Sequence, residues 1–219
     1  MRITCLHTAE SNIAVFESAA NQLGIALDAL HHEVRPELLA AAERAGGLTA
    51  ELSAATQHEL LALAQNADAV VLTCSTLGPS VEGITQQAGA PILRADQALA
   101  LASVQAASGG KIVALVAVET TVAATTRLFC QAAEASNALV EVQLVSGAWA
   151  LYKSGDVEGY LTRVAQAADL AYLEGASVVA LGQASMGGAA SRVTAGPAPL
   201  TSAVSGLQAA FESTAESGR

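Results

Sequence analysis

Aromatic side chains are nearly missing: they make up 3% of a chain that is 52% hydrophobic. Alanine carries much of the apolar count, which suits close packing of helices on a sheet. Cysteine is scarce as well. Cys5, Cys74 and Cys130 are far apart, odd in number and without metal-type spacing. That excludes a disulfide framework and fits a reducing compartment. Basic clusters are absent, and the formal net charge is −10. Such a chain is poorly suited to nucleic acid or to an anionic membrane surface. No apolar run reaches the roughly 18 residues that a membrane helix needs. Met1–Cys5 leads straight into a predicted strand, with no signal-peptide pattern. These absences predict a cytoplasmic protein that meets a small molecule, with no nucleic acid and no membrane as partner. They leave the oligomeric state open, a homo-oligomer included.

Two nucleotide signatures are also lacking. No Gly-x-Gly-x-x-Gly follows the first strand, and Gly182–Gly188 lacks the Gly-Lys-Ser/Thr ending of a phosphate loop. His31-His32 has no second acid or histidine cluster at ligand spacing, so no metal site is expected.

What is present is an alternation of strands and helices. Strands are predicted at Arg2–Leu6, Ile25–Leu30, Ala69–Leu72, Pro91–Leu93, Lys111–Val118, Val140–Val145 and Ser177–Leu181. Helices are predicted from Ser11 or Asn12 to Leu23, then at Pro36–Ala45, Ala54–Gln65, Val81–Ala88 and Gln97–Ala107. Further helices follow from Glu119 to Ser136, from Val157 to Leu173, and from Thr201 or Ser202 to about Ser213. This order implies right-handed crossovers and mainly parallel sheets. Val70–Gly78 aligns without gaps on Val179–Gly187 in apolar residues and closing glycine. Two similar α/β lobes would explain that echo, residues 1–96 plus 203–219 forming one and 97–202 the other. In this register Gln183 is the counterpart of Cys74.

The stretch Ala69–Pro79 carries the chemistry. A buried strand ends in Thr73-Cys74-Ser75-Thr76, and Gly78-Pro79 opens the next helical segment. A thiol in such a loop meets unpaired backbone N–H groups, which favour thiolate. The hydroxyls beside it can hold a carboxylate. Cys74 could equally be a small buried packing residue, as Cys5 and Cys130 are expected to be. Gln183 either satisfies backbone groups of its own turn or faces a ligand. Thr121 is a first-turn hydroxyl or a carboxylate donor. Glu119 is a helix-terminus carboxylate rather than an acid or base. His7 ends the first strand and is a candidate substrate ligand. His31, His32 and His58 read as peripheral, Arg94 and Asp96 as an interface or capping pair, and Trp149 and Tyr152 as packing.

On these residues the chain resembles the aspartate/glutamate racemase superfamily, which includes amino-acid and hydantoin racemases, maleate isomerases and arylmalonate decarboxylases. Thr73-Cys74-Ser75-Thr76 is similar to the family's first cysteine loop, and Leu181-Gly182-Gln183-Ala184-Ser185 to the second. Ala117–Thr121 resembles the threonine-containing turn of the second lobe, while His7–Asn12 matches its family counterpart poorly. The resemblance implies two pseudosymmetric Rossmann-like lobes with parallel sheets and a cofactor-independent site in the cleft between them. It implies Cys74 as the catalytic thiol, with His7, Ser75, Thr76, Thr121, Gln183, Ala184 and Ser185 contacting a small carboxylate, and no metal. Gln183 replaces the family's second cysteine, and an amide does not exchange protons at neutral pH. Two-thiol racemisation is therefore not expected. Cys74 would act alone, as base, proton donor or nucleophile, on an amino acid or dicarboxylate. The alternative is a non-catalytic carboxylate-binding or redox-sensing protein on the same scaffold.

Overall fold

The computed structural model describes residues 1–84 and 89–217. The chain divides into two compact units, Met1–Ala98 with Ala203–Arg219, and Leu99–Ser202. Each contains one four-stranded, all-parallel sheet.

In the first unit the strands are β1 (Ile3–His7), β2 (Leu30–Val34), β3 (Ala69–Leu72) and β4 (Ile92–Arg94), in the order β2-β1-β3-β4. The helices are α1 (Asn12–Leu23), α2 (Pro36–Ala45) and α3 (Ala50–Ala64). α1 and α2 each end on a left-handed glycine, Gly24 and Gly46. Thr49 caps α3, its hydroxyl accepting the Leu52 N–H. β1 and β3 are buried along their whole length. Leu6, Val70 and Leu72 pack into a core with Leu38, Leu60 and Leu77. Both faces of a central parallel strand are covered, which is why β3 reads as a continuous apolar run, while β1 also buries Thr4 and His7.

In the second unit β5 (Lys111–Val116), β6 (Leu139–Leu144), β7 (Val178–Leu181) and β8 (Leu200–Thr201) repeat the same order, β6-β5-β7-β8. The helices are α5 (Val122–Ala133), the short α6 (Ala148–Lys153) and α7 (Val157–Leu173). The period of two is clean. Val113, Leu115, Val179 and Leu181 enter one core with Tyr160 and Val164, while Ile112, Ala114, Val178 and Ala180 enter another with Phe129 and Leu99. α4 (Ala95–Ala107) carries the unit boundary, and α8 (Ser202–Ser217) belongs almost wholly to the first unit. No helix among the described residues is long and apolar enough to cross a membrane.

Several expectations shift. The second strand is Leu30–Val34 rather than Ile25–Leu30, and Leu27–Ala29 is a 3-10 turn. β2 is an edge strand, so its His31-His32-Glu33 run carries little apolar signal. The predicted Val81–Ala88 helix is a 3-10 turn at Gly78–Val81, and residues 85–88 lie outside those described. β8 and α6 have no counterpart among the predicted elements. Cys130 is exposed rather than core, on the outer side of α5, whereas its neighbours Leu128 and Phe129 are buried.

Candidate active site

The chemistry-bearing residues of the first unit are positioned by strand register. β1 and β3 pair Leu6 with Leu72. One residue further, the His7 ring meets the Thr73 hydroxyl at 2.9 Å. Two residues further, the Thr8 hydroxyl hydrogen-bonds Cys74. Cys74 is 9% exposed, at the start of the turn in which the Leu77 N–H donates to the Cys74 carbonyl. The Thr8 hydroxyl and the N–H groups of Leu77 and Thr76 favour the thiolate. Burial and the nearby Asp96 carboxylate favour the thiol. Burial is the largest of these, and the Cys74 pKa is raised. This corrects the expectation from the loop alone: the N–H cradle is there, but at rest the sulfur keeps its proton.

Ser75 and Thr76 are half-buried. Among the described residues no side chain or backbone group binds their hydroxyls, so both are available to a ligand. Gly78 closes the turn under the Arg94 guanidinium, and a Cβ there would lie 2.6 Å from Nη2. Arg94 is 6% exposed and holds Asp96 with two bonds, Nε to Oδ1 at 3.0 Å and Nη2 to Oδ2 at 2.8 Å. Asp96 also accepts the Gln97 N–H at 3.0 Å, as a capping residue would. The ion pair thus fixes the carboxylate whose charge Cys74 feels.

His7 is fully buried. Its Nδ1 lies 2.9 Å from Thr73 Oγ1 and its Nε2 2.9 Å from His32 Nδ1. Burial first, then His32, lower its pKa to about 3. Both ring nitrogens are occupied, so His7 braces the Cys74 loop from behind instead of presenting a nitrogen to substrate. His32 is not peripheral; it is the bracing partner.

The second unit repeats the register. β5 and β7 pair Leu115 with Leu181, and two residues further Gln183 Oε1 accepts the Ala117 N–H at 2.7 Å. Cys74 and Gln183 therefore hold equivalent places in their own sheets, in keeping with the sequence echo. Gln183 Nε2 donates to Thr121 Oγ1 at 3.0 Å, and the Thr121 hydroxyl donates to the Val118 carbonyl at 2.6 Å. The proton expected for a carboxylate is thus already committed at Thr121, which is 2% exposed. Gly182 allows β7 to leave β5: a Cβ would meet the Leu115 carbonyl oxygen at 2.9 Å. Ala184 is buried, and Ser185 is half-buried with its hydroxyl 2.8 Å from that of Tyr160. Glu119 is exposed.

A family model described as Asp/Glu/Hydantoin racemase matches residues 7–214. The chain belongs to this racemase family. No curated protein matches it by sequence. Aspartate racemase from Picrophilus torridus is 14% identical with a TM-score of 0.71, over 98% of this chain and 95% of that one. Allantoin racemase from Klebsiella pneumoniae is 14% identical with a TM-score of 0.70, over 99% and 89%. Glutamate racemase from Thermus thermophilus, in complex with beta-chloro-D-alanine, is 17% identical with a TM-score of 0.63, over 99% and 81%. At such identities the likeness carries the fold, and the family model carries the membership.

Three contributors to the candidate site carry no sequence signal of their own. Thr8 reaches the thiol only because β1 and β3 end in register. Asp96 acts on it from the start of α4. Tyr160 holds Ser185 from α7 and, being fully buried beside Tyr152, is part of a small aromatic cluster with Trp149.

Proposed function

We propose that this chain is a cofactor-independent enzyme of the racemase family that acts on a small carboxylic acid, an amino acid or dicarboxylate, with Cys74 as its single reacting thiol. The observation that carries the reading is the set of groups around that sulfur: the Thr8 hydroxyl and the Thr76 and Leu77 N–H groups. The uncommitted hydroxyls of Ser75 and Thr76 are proposed to hold the substrate carboxylate and to stabilise an enediolate. Gln183 is proposed to stand where racemases carry their second cysteine. Its carboxamide cannot relay a proton, and its bonds to Ala117 and Thr121 suit a spacer. A thiol that is neutral at rest is a proton donor. The favoured chemistry is therefore decarboxylation: the C–C bond breaks as carbon dioxide leaves, the Cys74 thiol gives its proton to one face of the carbanion, and the thiolate regains a proton from water, rather than two-base inversion.

The test is deuterium exchange and product formation followed by NMR in D2O, with aspartate, glutamate, hydantoins, maleate and malonates. Turnover lost in Cys74→Ala and kept in Gln183→Ala supports the proposal. Turnover unaffected by Cys74→Ala overturns it. A second reading, a non-catalytic carboxylate-binding protein, is favoured by the protonated, buried thiol. Saturable binding without exchange or turnover anywhere in the panel would establish that reading instead.

A further inference from the structure

Cys5 and His7 are alternate residues of β1 and point to one face of the sheet. His32 pairs with Cys5 in the β1–β2 register and shares that face. The Cys5 sulfur and one ring nitrogen from each histidine all lie within 4.8 Å of one another. Cys5 and His7 are fully buried, and the edge of Phe16 covers His7 at 5.1 Å between ring centroids. The proposed reaction brings none of these three donor atoms against substrate.

Hydrogen bonding fixes which atom of His7 is bare. The Thr73 hydroxyl donates its proton to the Leu6 carbonyl at 3.0 Å. It can then only accept from His7, so Nδ1 carries the His7 proton. Nε2 keeps its lone pair and faces His32 Nδ1 at 2.9 Å. An imidazole whose far N–H is held by a fixed acceptor is the arrangement of a metal-ligating histidine.

We infer that Cys5 Sγ, His7 Nε2 and His32 Nδ1 form a binding site for one soft d10 ion, Cu⁺ or Zn²⁺. Metal–nitrogen bonds of about 2.0–2.1 Å and a metal–sulfur bond of about 2.3 Å need donors some 3.3–3.6 Å apart. The two nitrogens would separate by a few tenths of an ångström as the ion replaces the proton between them. Binding releases the Cys5 thiol proton to solvent, and the His32 proton passes from Nδ1 to Nε2 by exchange with water. One proton is lost per ion. Charge separates the two ions. Cu⁺ with one thiolate is neutral, which suits a buried site. Zn²⁺ leaves a surplus positive charge, and the half-buried Glu17 of α1, which already acts on His32, is the anion at hand.

The experiment uses the full chain carrying Cys130→Ser, so that the exposed thiol cannot contribute. It is titrated without oxygen with Zn²⁺ or Cu⁺ against a chromophoric chelator. One ion per chain is expected, with affinity falling at least about tenfold in Cys5→Ser and in His32→Gln. X-ray absorption of the loaded protein with Cys5 and His32 intact reads the shell without either variant, and one sulfur with two imidazole nitrogens is expected. A further fall for Zn²⁺ alone in Glu17→Gln would assign zinc with Glu17 as second anion; tight Cu⁺ binding indifferent to Glu17→Gln would assign Cu⁺. No stoichiometric binding of either ion, binding unchanged in Cys5→Ser and His32→Gln, or a shell without sulfur overturns the inference.

Discussion

The hydroxyl of Thr73 accepts the Nδ1 proton of His7 at 2.9 Å, and so ties the carboxyl end of β1 to the first residue of the thiol loop. A proton on Nε2 would leave that bond in place but end the ring's acceptance of the His32 Nδ1 proton and set a charge in a buried ring, and burial holds His7 neutral. The loop that carries Cys74 is therefore sensitive to acid through a residue that never touches the sulfur.

The first prediction concerns that sensitivity. His7 has a folded pKa of about 3, below its ordinary 6.5. Above pH 6.5 both folded and unfolded chains hold it neutral, and its contribution is complete. As the pH falls from 6.5 to 3 the unfolded chain takes up a proton that the folded chain refuses. Stability should then drop by up to about 1.4 kcal/mol per pH unit from this residue alone. Urea titrations between pH 7 and 4 should show the drop, and His7→Gln should flatten it. An equal slope in the variant would assign the acid sensitivity to other groups.

Cys74 should behave as a thiol of raised pKa. Its alkylation by iodoacetamide should climb only above the ordinary thiol range near pH 8.5. Thr8→Val should push the profile further up, because it removes a hydrogen bond that favours the thiolate. Mass spectrometry of the Cys74 peptide against pH, with exposed Cys130 as internal reference, reads both effects. Rapid alkylation at pH 6 would contradict them.

Gln183→Leu should destabilise the second unit by about 1–3 kcal/mol, because the buried Ala117 N–H loses its acceptor. Gln183→Glu should cost less at a pH low enough to protonate it, since the carboxyl then accepts that N–H through its carbonyl oxygen and donates its proton to Thr121 in place of the amide. Chemical denaturation of the two variants gives the ordering. A milder effect of leucine than of glutamate would mean that the carboxamide is not a bridge.

Arg94→Ala should be among the costliest single changes, about 3–5 kcal/mol, since it leaves Asp96 nearly buried without its counterion. Arg94→Ala with Asp96→Asn should recover a good part of the loss. The double-mutant cycle by thermal or urea unfolding measures the coupling, and simple additivity would rule out the pair as a unit.

Sequence periodicity locates the elements best where the chain is buried on both sides or sharply capped. Ala69–Leu72 and Val157–Leu173 fall where predicted, the first as a continuous apolar run, the second between the Asp156 cap and Glu174-Gly175. Periodicity misplaces the edge strand β2 because His31, His32 and Glu33 hide its signal. The echo between Val70–Gly78 and Val179–Gly187 is legible and corresponds to matching register in two sheets. What pattern cannot supply is the balance at Cys74. The N–H groups of its turn are foreseeable, whereas the burial that outweighs them depends on residues from β1 and α4. The Cys5, His7 and His32 cluster is invisible for a similar reason: its members come from two strands that are adjacent only in space.

α8 has a consequence for how the protein is made. Its Gly206 approaches Ala95 so closely that a Cβ would sit 3.0 Å from the alanine methyl and 3.4 Å from Val71 of β3. The unit that holds the thiol is thus finished by residues 203 onward, while the other unit is one uninterrupted segment. During translation the later half can close on itself first. The earlier half must wait, with one flank of its sheet bare, for a helix made only after the whole of the other unit, and that interval is when a chaperone would find most to hold.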